Sequence, residues 1–297
     1  MENSGSVMRL LLLCLREARI AVQVMFALRL VTAAALSSPG GRGLASWPAL
    51  LGIAAWSCAV FFVYLLNGVT DIDEDRINGS QRPIASGLLT PRQAIVVARG
   101  AALLALVCAA VHGVALLVPL VALMLLGYGY SAPSFAWKSR TGTAMAVVLA
   151  SGLLTYFAGC VVAQEASSRV PVLVFAAAMT AWMGLVGTLA KDFSDVEGDA
   201  AAGRRSVLVT RGQAVARTLC GANALAVGAA FAVCAAFLAP VLLWPAVIVL
   251  LGAVWLAGTL AYGEKGSTRR PYQVFMIVQH AAHTAALVLA VQGERVA

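Results

Sequence analysis

Charge is what this sequence lacks. Only 11% of its 297 residues are Asp, Glu, Lys or Arg, less than half of the roughly 25% found in an average soluble domain. A soluble globule of this size needs more polar surface than that, which excludes a cytosolic enzyme, a disordered protein and a small secreted scaffold. Histidine is nearly absent, at three residues. The six cysteines stand singly, mostly inside apolar runs, with no Cys-x-x-Cys pair and no Cys/His cluster, so neither a zinc site nor a disulfide framework is expected. No low-complexity linker divides the chain. What is present is apolar: 61% of the residues, with a mean hydropathy of +0.88. The solvent this composition suits is a bilayer.

A membrane-spanning helix needs about 20 mostly apolar residues. Nine stretches qualify: 20–37, 47–69, 93–111, 114–130, 143–163, 170–190, 213–236, 240–262 and 272–292. The turns near His112–Gly113 and Pro240 are short enough to make their neighbours antiparallel hairpins. The run Met8–Leu15 is too short to span and is interrupted by Arg16, Glu17 and Arg19, so it reads as a surface helix leading into the first span. The expected fold is therefore all-α: one polytopic membrane domain over 1–297, a bundle of nine transmembrane helices around a central cavity open to the cytoplasmic side. With the N-terminus inside, seventeen of the 21 Lys and Arg fall on cytoplasmic segments, Lys265 among them. Arg42, Arg169 and Arg295 fall outside, and Arg29 lies within the first span. This bias accounts for the net charge of +8 through anionic lipid, with no nucleic-acid partner.

Acids are the scarcer sign, thirteen in all, and eight of them fall in two short inside segments. The first runs from Asn67 through Asp71, Asp73, Glu74 and Asp75 to Arg76. The second runs from Lys191 and Asp192 through Asp195 and Glu197 to Asp199. Carboxylates gathered at an anionic leaflet repel one another unless a cation is bound. Asn67, Asp71 and Asp75 are spaced i, i+4, i+8, one stripe on a continuing helix; Asp192, Asp195 and Asp199 share a face at i, i+3, i+7. Facing each other, the stripes offer five carboxylates and one amide oxygen, a hard all-oxygen set suited to Mg²⁺, which binds through a few carboxylates plus substrate phosphates. Asp73, Glu74 and Glu197 lie off the stripes and read as solvated or outer groups. The basic flanks suit a diphosphate, with Lys191 and Arg82 foremost, then Arg76, and Arg204 and Arg205 behind them. The alternative is a transporter with solvated acidic loops.

The motifs are specific enough to name a resemblance. Asn67-x3-Asp71-x3-Asp75 followed by Asn78-Gly-Ser-Gln-Arg82-Pro83 resembles the first signature of the UbiA superfamily of intramembrane prenyltransferases. Lys191-Asp192-x2-Asp195-x-Glu197-Gly198-Asp199 is similar to the second, in the form of the branch holding chlorophyll synthase and homogentisate prenyltransferases. Tyr130-Ser-Ala-Pro133 with Lys138 resembles the loop after the fourth span. The sequence departs in three places. Gly68 stands where many members carry Asp or Gln, Lys138 lies eight residues past Tyr130 rather than four, and residues 204–211 lack a Thr-Leu-Pro run. The resemblance implies Mg²⁺-dependent transfer of a prenyl group from an isoprenoid diphosphate to a small aromatic or quinone-precursor acceptor. Asp71, Asp75, Asp192 and Asp195 would be catalytic. Those four with Asn67 and Asp199 would hold the metal, and Lys191, Arg82, Arg76, Tyr130 and Lys138 the diphosphate.

An allylic diphosphate is a latent carbocation that ionises when its leaving group is neutralised, and the cation then needs a dry, apolar chamber. Tyr128, Tyr130, Tyr156, Phe157 and Trp182 are aromatic faces that could steady it. His280 and His283, at i, i+3 on the ninth span, and Tyr156 could line an acceptor pocket; helix–helix hydrogen bonding accounts for them equally. Arg29 suits a diphosphate or acceptor contact, or an interhelical pair. Asn78-Gly-Ser80 matches a glycosylation pattern but falls on the inside and carries no weight. A terpene cyclase and a lipid-phosphate acceptor enzyme would use the same acidic site.

Overall fold

Serine and threonine caps start three of the helices. Ser46 accepts from the Ala49 N–H ahead of Pro48. Thr90 and Gln93 form a reciprocal capping box with Pro91 between them, and Ser206 accepts from Val209. The computed structural model describes residues 2–38, 44–164, 169–262 and 269–292, with side chains from residue 6 onward. Lys265, Arg42 and Arg295, used above for orientation, lie outside the described residues.

The elements are helices throughout. α1 is Glu2–Glu17, α2 Ile20–Ser37, α3 Trp47–Thr70, α4 Ile72–Ile77, α5 Pro91–His112 and α6 Val114–Ser131. α7 is Thr141–Ala163, α8 Val170–Ala181, α9 Thr188–Ala201, α10 Val207–Leu238, α11 Leu243–Tyr262 and α12 Arg270–Gln292. A π-helical turn, Trp182–Gly187, joins α8 to α9 without a break in the chain direction. Among the described residues nine helices, with α8–α9 counted as one, are long and apolar enough to cross a membrane. The chain is an integral multi-pass membrane protein. α1 keeps Val7, Met8, Leu11 and Leu12 exposed while Cys14 and Glu17 turn inward, as a helix lying along the bundle does.

The predicted hairpins form at Gly113, whose φ of 130° serves the α5–α6 turn, and at Pro240–Leu242 between α10 and α11. α10 begins at Val207, ahead of the apolar run expected from 213, and breaks at Gly212 (φ 82°, ψ 171°), leaving residues 207–211 as a separate short turn. α12 returns against α2 and closes the circuit of helices. Among the described residues three apolar clusters result: a smaller one where α1 packs on the end of α3 and the start of α5, one built on α3, α5 and α6, and one on α8 to α12, the last two meeting at α2 and α7. There the backbones nearly touch: a Cβ on Gly159 would overlap the Leu30 carbonyl and come within 2.6 Å of the Ala33 Cβ. Small residues permit this approach in a membrane, where close packing replaces the hydrophobic drive between helices.

Candidate functional site

The helix circuit encloses a chamber of about 200 Å³. Its apolar wall includes Met25, Phe26, Val60, Leu123, Val147, Met183 and Phe275. One end is polar, formed by Asn67, Lys138, Lys191, Asp192, Asp199 and Arg204. The π turn contributes to this arrangement. Within it the carbonyls of Leu185 and Val186 accept from Asn223 Nδ2 at 3.0 Å and Cys220 Sγ at 3.8 Å. It also turns Thr188, Lys191 and Asp192 toward the chamber; such turns recur at functional sites.

The two acidic segments converge. α4 packs on α9, and the Gly198 N–H donates to Asn78 Oδ1 at 2.7 Å. A Cβ on Gly198 would stand 2.7 Å from the Glu74 carbonyl, so only glycine permits this approach. Arg204 then clamps the two ends together, bonded to Asp199 at 2.9 Å, to Glu74, and to Asp71 at 3.7 Å. Lys138 pairs with Asp71 and lies 3.5 Å from Glu74. The loops carrying these cations are tied by a bridge in which Arg205 N donates to the Ser139 carbonyl at 2.7 Å.

The first stripe is not a continuous helix. Asp71 leaves helical geometry (φ −100°, ψ 13°) between α3 and α4, although the i to i−4 bonds run on through it. Asn67 uses its amide N–H on Asp71 Oδ2 at 2.9 Å. The acids divide between two spaces. Asn67, Asp192 and Asp199 line the chamber, and Asp71 stands beside it on Lys138. Asp75 and Asp195 line a neighbouring polar vestibule of about 460 Å³, together with Arg16 and Arg82. The two spaces share Arg19 and Tyr272. Among the described residues, no three His, Cys, Asp or Glu side chains gather at metal-ligand spacing, because Lys138, Lys191 and Arg204 hold the carboxylates. The expected single cluster of five carboxylates is thus not assembled in this state.

Burial raises a carboxylate's pKa, yet Lys138, with Arg204 and Lys191 adding to it, holds Asp71 below its ordinary range. Glu74 is pushed up, by burial first and then by Asp71. For Arg204 the three carboxylates outweigh burial and keep it protonated. Asp192 Oδ2 is buried and has no partner among the described residues.

Several expected site residues stand elsewhere. Arg82 is buried between Glu17, at 2.9 Å, and Asp75, at 2.7 Å; it braces α1 against the 78–83 loop and does not line the chamber. Arg76 is exposed, 3.6 Å from Asp73. Glu74, expected off the site, is paired inside it. A Cβ on Gly68 would collide with the Glu17 carboxylate and would stand 2.7 Å from Arg82 Nη2, so the side chain missing at position 68 is replaced in space by Glu17 from α1. Of the named aromatics, Tyr130 lines the chamber. Tyr128 and Phe157 are exposed on the outside of the bundle, and Trp182 stacks on Phe275. Phe26, Tyr64 and Phe275 supply the wall instead. Neither histidine of α12 lines the chamber. His280 bonds the Met276 carbonyl at 2.7 Å, and His283 lies behind Tyr156, 2.6 Å from its hydroxyl. Asn78 and Arg204 are the residues that sequence reasoning undervalued. The available signal was the placement of Arg204 at i+5 after Asp199, just beyond Gly203.

Comparison with known proteins gives consistent matches. The sequence profile of the UbiA prenyltransferase family matches residues 26–281. A 2-acylphloroglucinol 4-prenyltransferase of Humulus lupulus is 32% identical over 166 residues, covering 52% of this chain and 40% of that one. The chain thus spans about two fifths of the length of the hop enzymes it matches. A digeranylgeranylglyceryl phosphate synthase of Methanopyrus kandleri is 30% identical over 237 residues, 75% of this chain and 81% of that one. In fold, the chain is similar to a UbiA homologue of Archaeoglobus fulgidus bound to GPP and Mg²⁺, with a TM-score of 0.70 at 17% identity over 94% of this chain and 99% of the other.

Proposed function

We propose, from the premise that this chain belongs to the UbiA prenyltransferase family, that it transfers a prenyl group from an isoprenoid diphosphate to an aromatic acceptor inside the membrane. The observation that carries this reading is the pairing of an apolar chamber with a polar end where Lys138 and Arg204 meet buried carboxylates and Lys191 a half-buried one. The positive-inside bias supports a cytoplasmic position for that end.

The donor set fits magnesium in kind. It is all oxygen, and Asp192 Oδ2 is a buried carboxylate oxygen left without a partner. Asn67, Asp192 and Asp199 at the chamber, and Asp71 beside them, would hold the ion, with Asp75 and Asp195 reached through the vestibule. When bound, the ion neutralises charge on the leaving diphosphate. Asp71 and Asp199 would have to exchange Lys138 and Arg204 for it, which frees those cations to turn onto the diphosphate oxygens. Arg204 can fork onto them, and Lys138 and Lys191 act as point charges. The donor's carbon–oxygen bond then breaks with its electron pair on the diphosphate. Phe26, Tyr64, Tyr130 and Phe275 present rings to the chamber where an allylic cation would form, and the apolar wall keeps water from it.

The similarity to the Methanopyrus enzyme favours a second acceptor, a lipid phosphate. The two are separated by incubating the purified protein and Mg²⁺ with geranyl, farnesyl or geranylgeranyl diphosphate against a panel of phenols and glycerol phosphates, and reading product masses. A prenylated phenol supports the aromatic reading, and a prenyl ether of a glycerol phosphate replaces it. Cyclic hydrocarbon in the absence of acceptor, or no diphosphate release with any pair, overturns it.

A further inference from the structure

Arg29 sits midway along α2, about 14 Å from the helix start at 1.5 Å per residue. It is 1% exposed, borders the chamber, and among the described residues no carboxylate pairs with it. Its guanidinium lies over the Phe26 ring, 4.8 Å from the centroid, and its Nε and Nη1 have no partner among the described residues. The remaining contact is a hydrogen bond with Tyr156.

That contact cannot supply the missing charge. His283 Nδ1 is 2.6 Å from the Gln279 carbonyl, which can only accept, so Nδ1 carries the proton. Nε2 is then the acceptor for the Tyr156 hydroxyl at 2.6 Å, and the tyrosine oxygen is left facing Arg29. The relay runs one way and presents a neutral dipole. Tyr64 on α3 is the other titratable group that faces Arg29, and it is also neutral as a phenol. A guanidinium at this depth is costly, and intramembrane charges pair with one another or mark substrate paths. Among the described residues no counter-charge meets it. The diphosphate would be held at the other end of the chamber, about 15 Å further down the axis of α2, near Arg19. The prenyl tail carries no charge. The anion that completes Arg29 therefore belongs to the second substrate.

We infer that Arg29 is the binding residue for an oxyanion on the acceptor, so that the enzyme takes an acidic hydroxyaromatic compound as its phenolate or enolate. This rests on the prenyltransferase reading above. It also accounts for a chamber into which no histidine projects. The donor's carbon–oxygen bond breaks with its pair on the diphosphate, and a ring carbon of the phenolate supplies the pair for the new carbon–carbon bond. The product is a neutral dienone. Its ring proton moves to the oxygen and restores the aromatic ring, so no protein base is needed.

The test compares wild type, Arg29→Lys and Arg29→Met, purified in detergent, with two phenols of different acidity and the O-methyl ether of one. Acceptor KM and kcat are read across pH, and Mg²⁺-dependent binding of a non-reactive thiodiphosphate donor analogue is measured in parallel. Losing a charged contact to a buried oxyanion should raise acceptor KM about 30-fold in Arg29→Met, and Arg29→Lys should recover part of it. Donor-analogue binding should stay within about twofold of wild type, since no diphosphate contact is touched. The acid limb of wild-type kcat/KM should follow the acidity of each phenol, and the methyl ether should be inert. Removing an unpaired buried charge should leave the ligand-free thermal midpoint of Arg29→Met unchanged or raised, whereas a purely structural arginine would lower it. Unchanged acceptor KM in Arg29→Met, or equal turnover of the methyl ether, overturns the inference. Failure of wild type to bind the donor analogue overturns the prenyltransferase reading, and this inference with it.

Discussion

The backbone N–H of Gly198 donates to Asn78 Oδ1 at 2.7 Å, and this bond locks α4 onto α9 across 120 residues of sequence. A methyl group at position 198 would overlap Asn78 and press on the Glu74 carbonyl. Gly198→Ala should therefore lose about 1–3 kcal/mol of stability through overpacking, with a larger loss of turnover because the acidic ends are forced apart. Asn78→Ala leaves a buried N–H without its acceptor and should lose a similar amount. Thermal unfolding in detergent alongside a turnover assay checks both; unaltered turnover in Gly198→Ala would remove this bond from the account.

Arg204 is 8% exposed and touches three carboxylates from two segments. Arg204→Met leaves Asp199 without its cation and Asp71 and Glu74 on Lys138 alone, and should lose about 3–5 kcal/mol, the range for breaking a buried pair from one side. Lysine cannot fork to three acids, so Arg204→Lys should fall between. Millimolar Mg²⁺ should restore part of the thermal midpoint of Arg204→Met, and more than it adds to wild type. No recovery would mean that these carboxylates do not take a metal.

Glu17 is fully buried, bonded to Arg82 Nε and to the Ile84 N–H. Burial pushes its carboxyl above the ordinary range, more than Arg82 and the Ile84 N–H lower it. A raised folded-state pKa means that the folded chain holds the proton more tightly. The stabilisation is complete below the ordinary value of about 4.3 and is lost as pH climbs through the raised one. The thermal midpoint should therefore decline over that window, and Glu17→Gln should flatten the decline. A midpoint that rises with pH across the same window would contradict the sign.

The spans were legible because length and hydropathy decide them; the break at Gly212, which sets residues 207–211 apart from the rest of α10, was not. The two acidic motifs were legible as a spacing. Their division between chamber and vestibule was not, since it depends on Asp71 leaving helical geometry and on which cation reaches each acid. Lys138 looked displaced in sequence, yet the left-handed Ala136 (φ 42°) turns the loop and brings it onto Asp71. Arg82 looked like a phosphate ligand, but the residue that captures it, Glu17, lies 65 positions earlier. The π turn at Trp182–Gly187 leaves no mark in periodicity, although it sets which faces of α9 meet the chamber. Tyr156 and His283 share no motif; Gly159, one turn from Tyr156, lets α7 close on α2 and brings the relay to Arg29.

The central claim is that the acids at the polar end of the chamber hold the metal-bound diphosphate. Asp192→Asn tests it most directly, because Asp192 Oδ2 has no partner among the described residues and the change leaves the fold's own contacts in place. Diphosphate release from a prenyl diphosphate, with Mg²⁺ and acceptor supplied, should fall about 100-fold or more while the ligand-free thermal midpoint stays at the wild-type value. Release at the wild-type rate from a normally folded Asp192→Asn protein would contradict it.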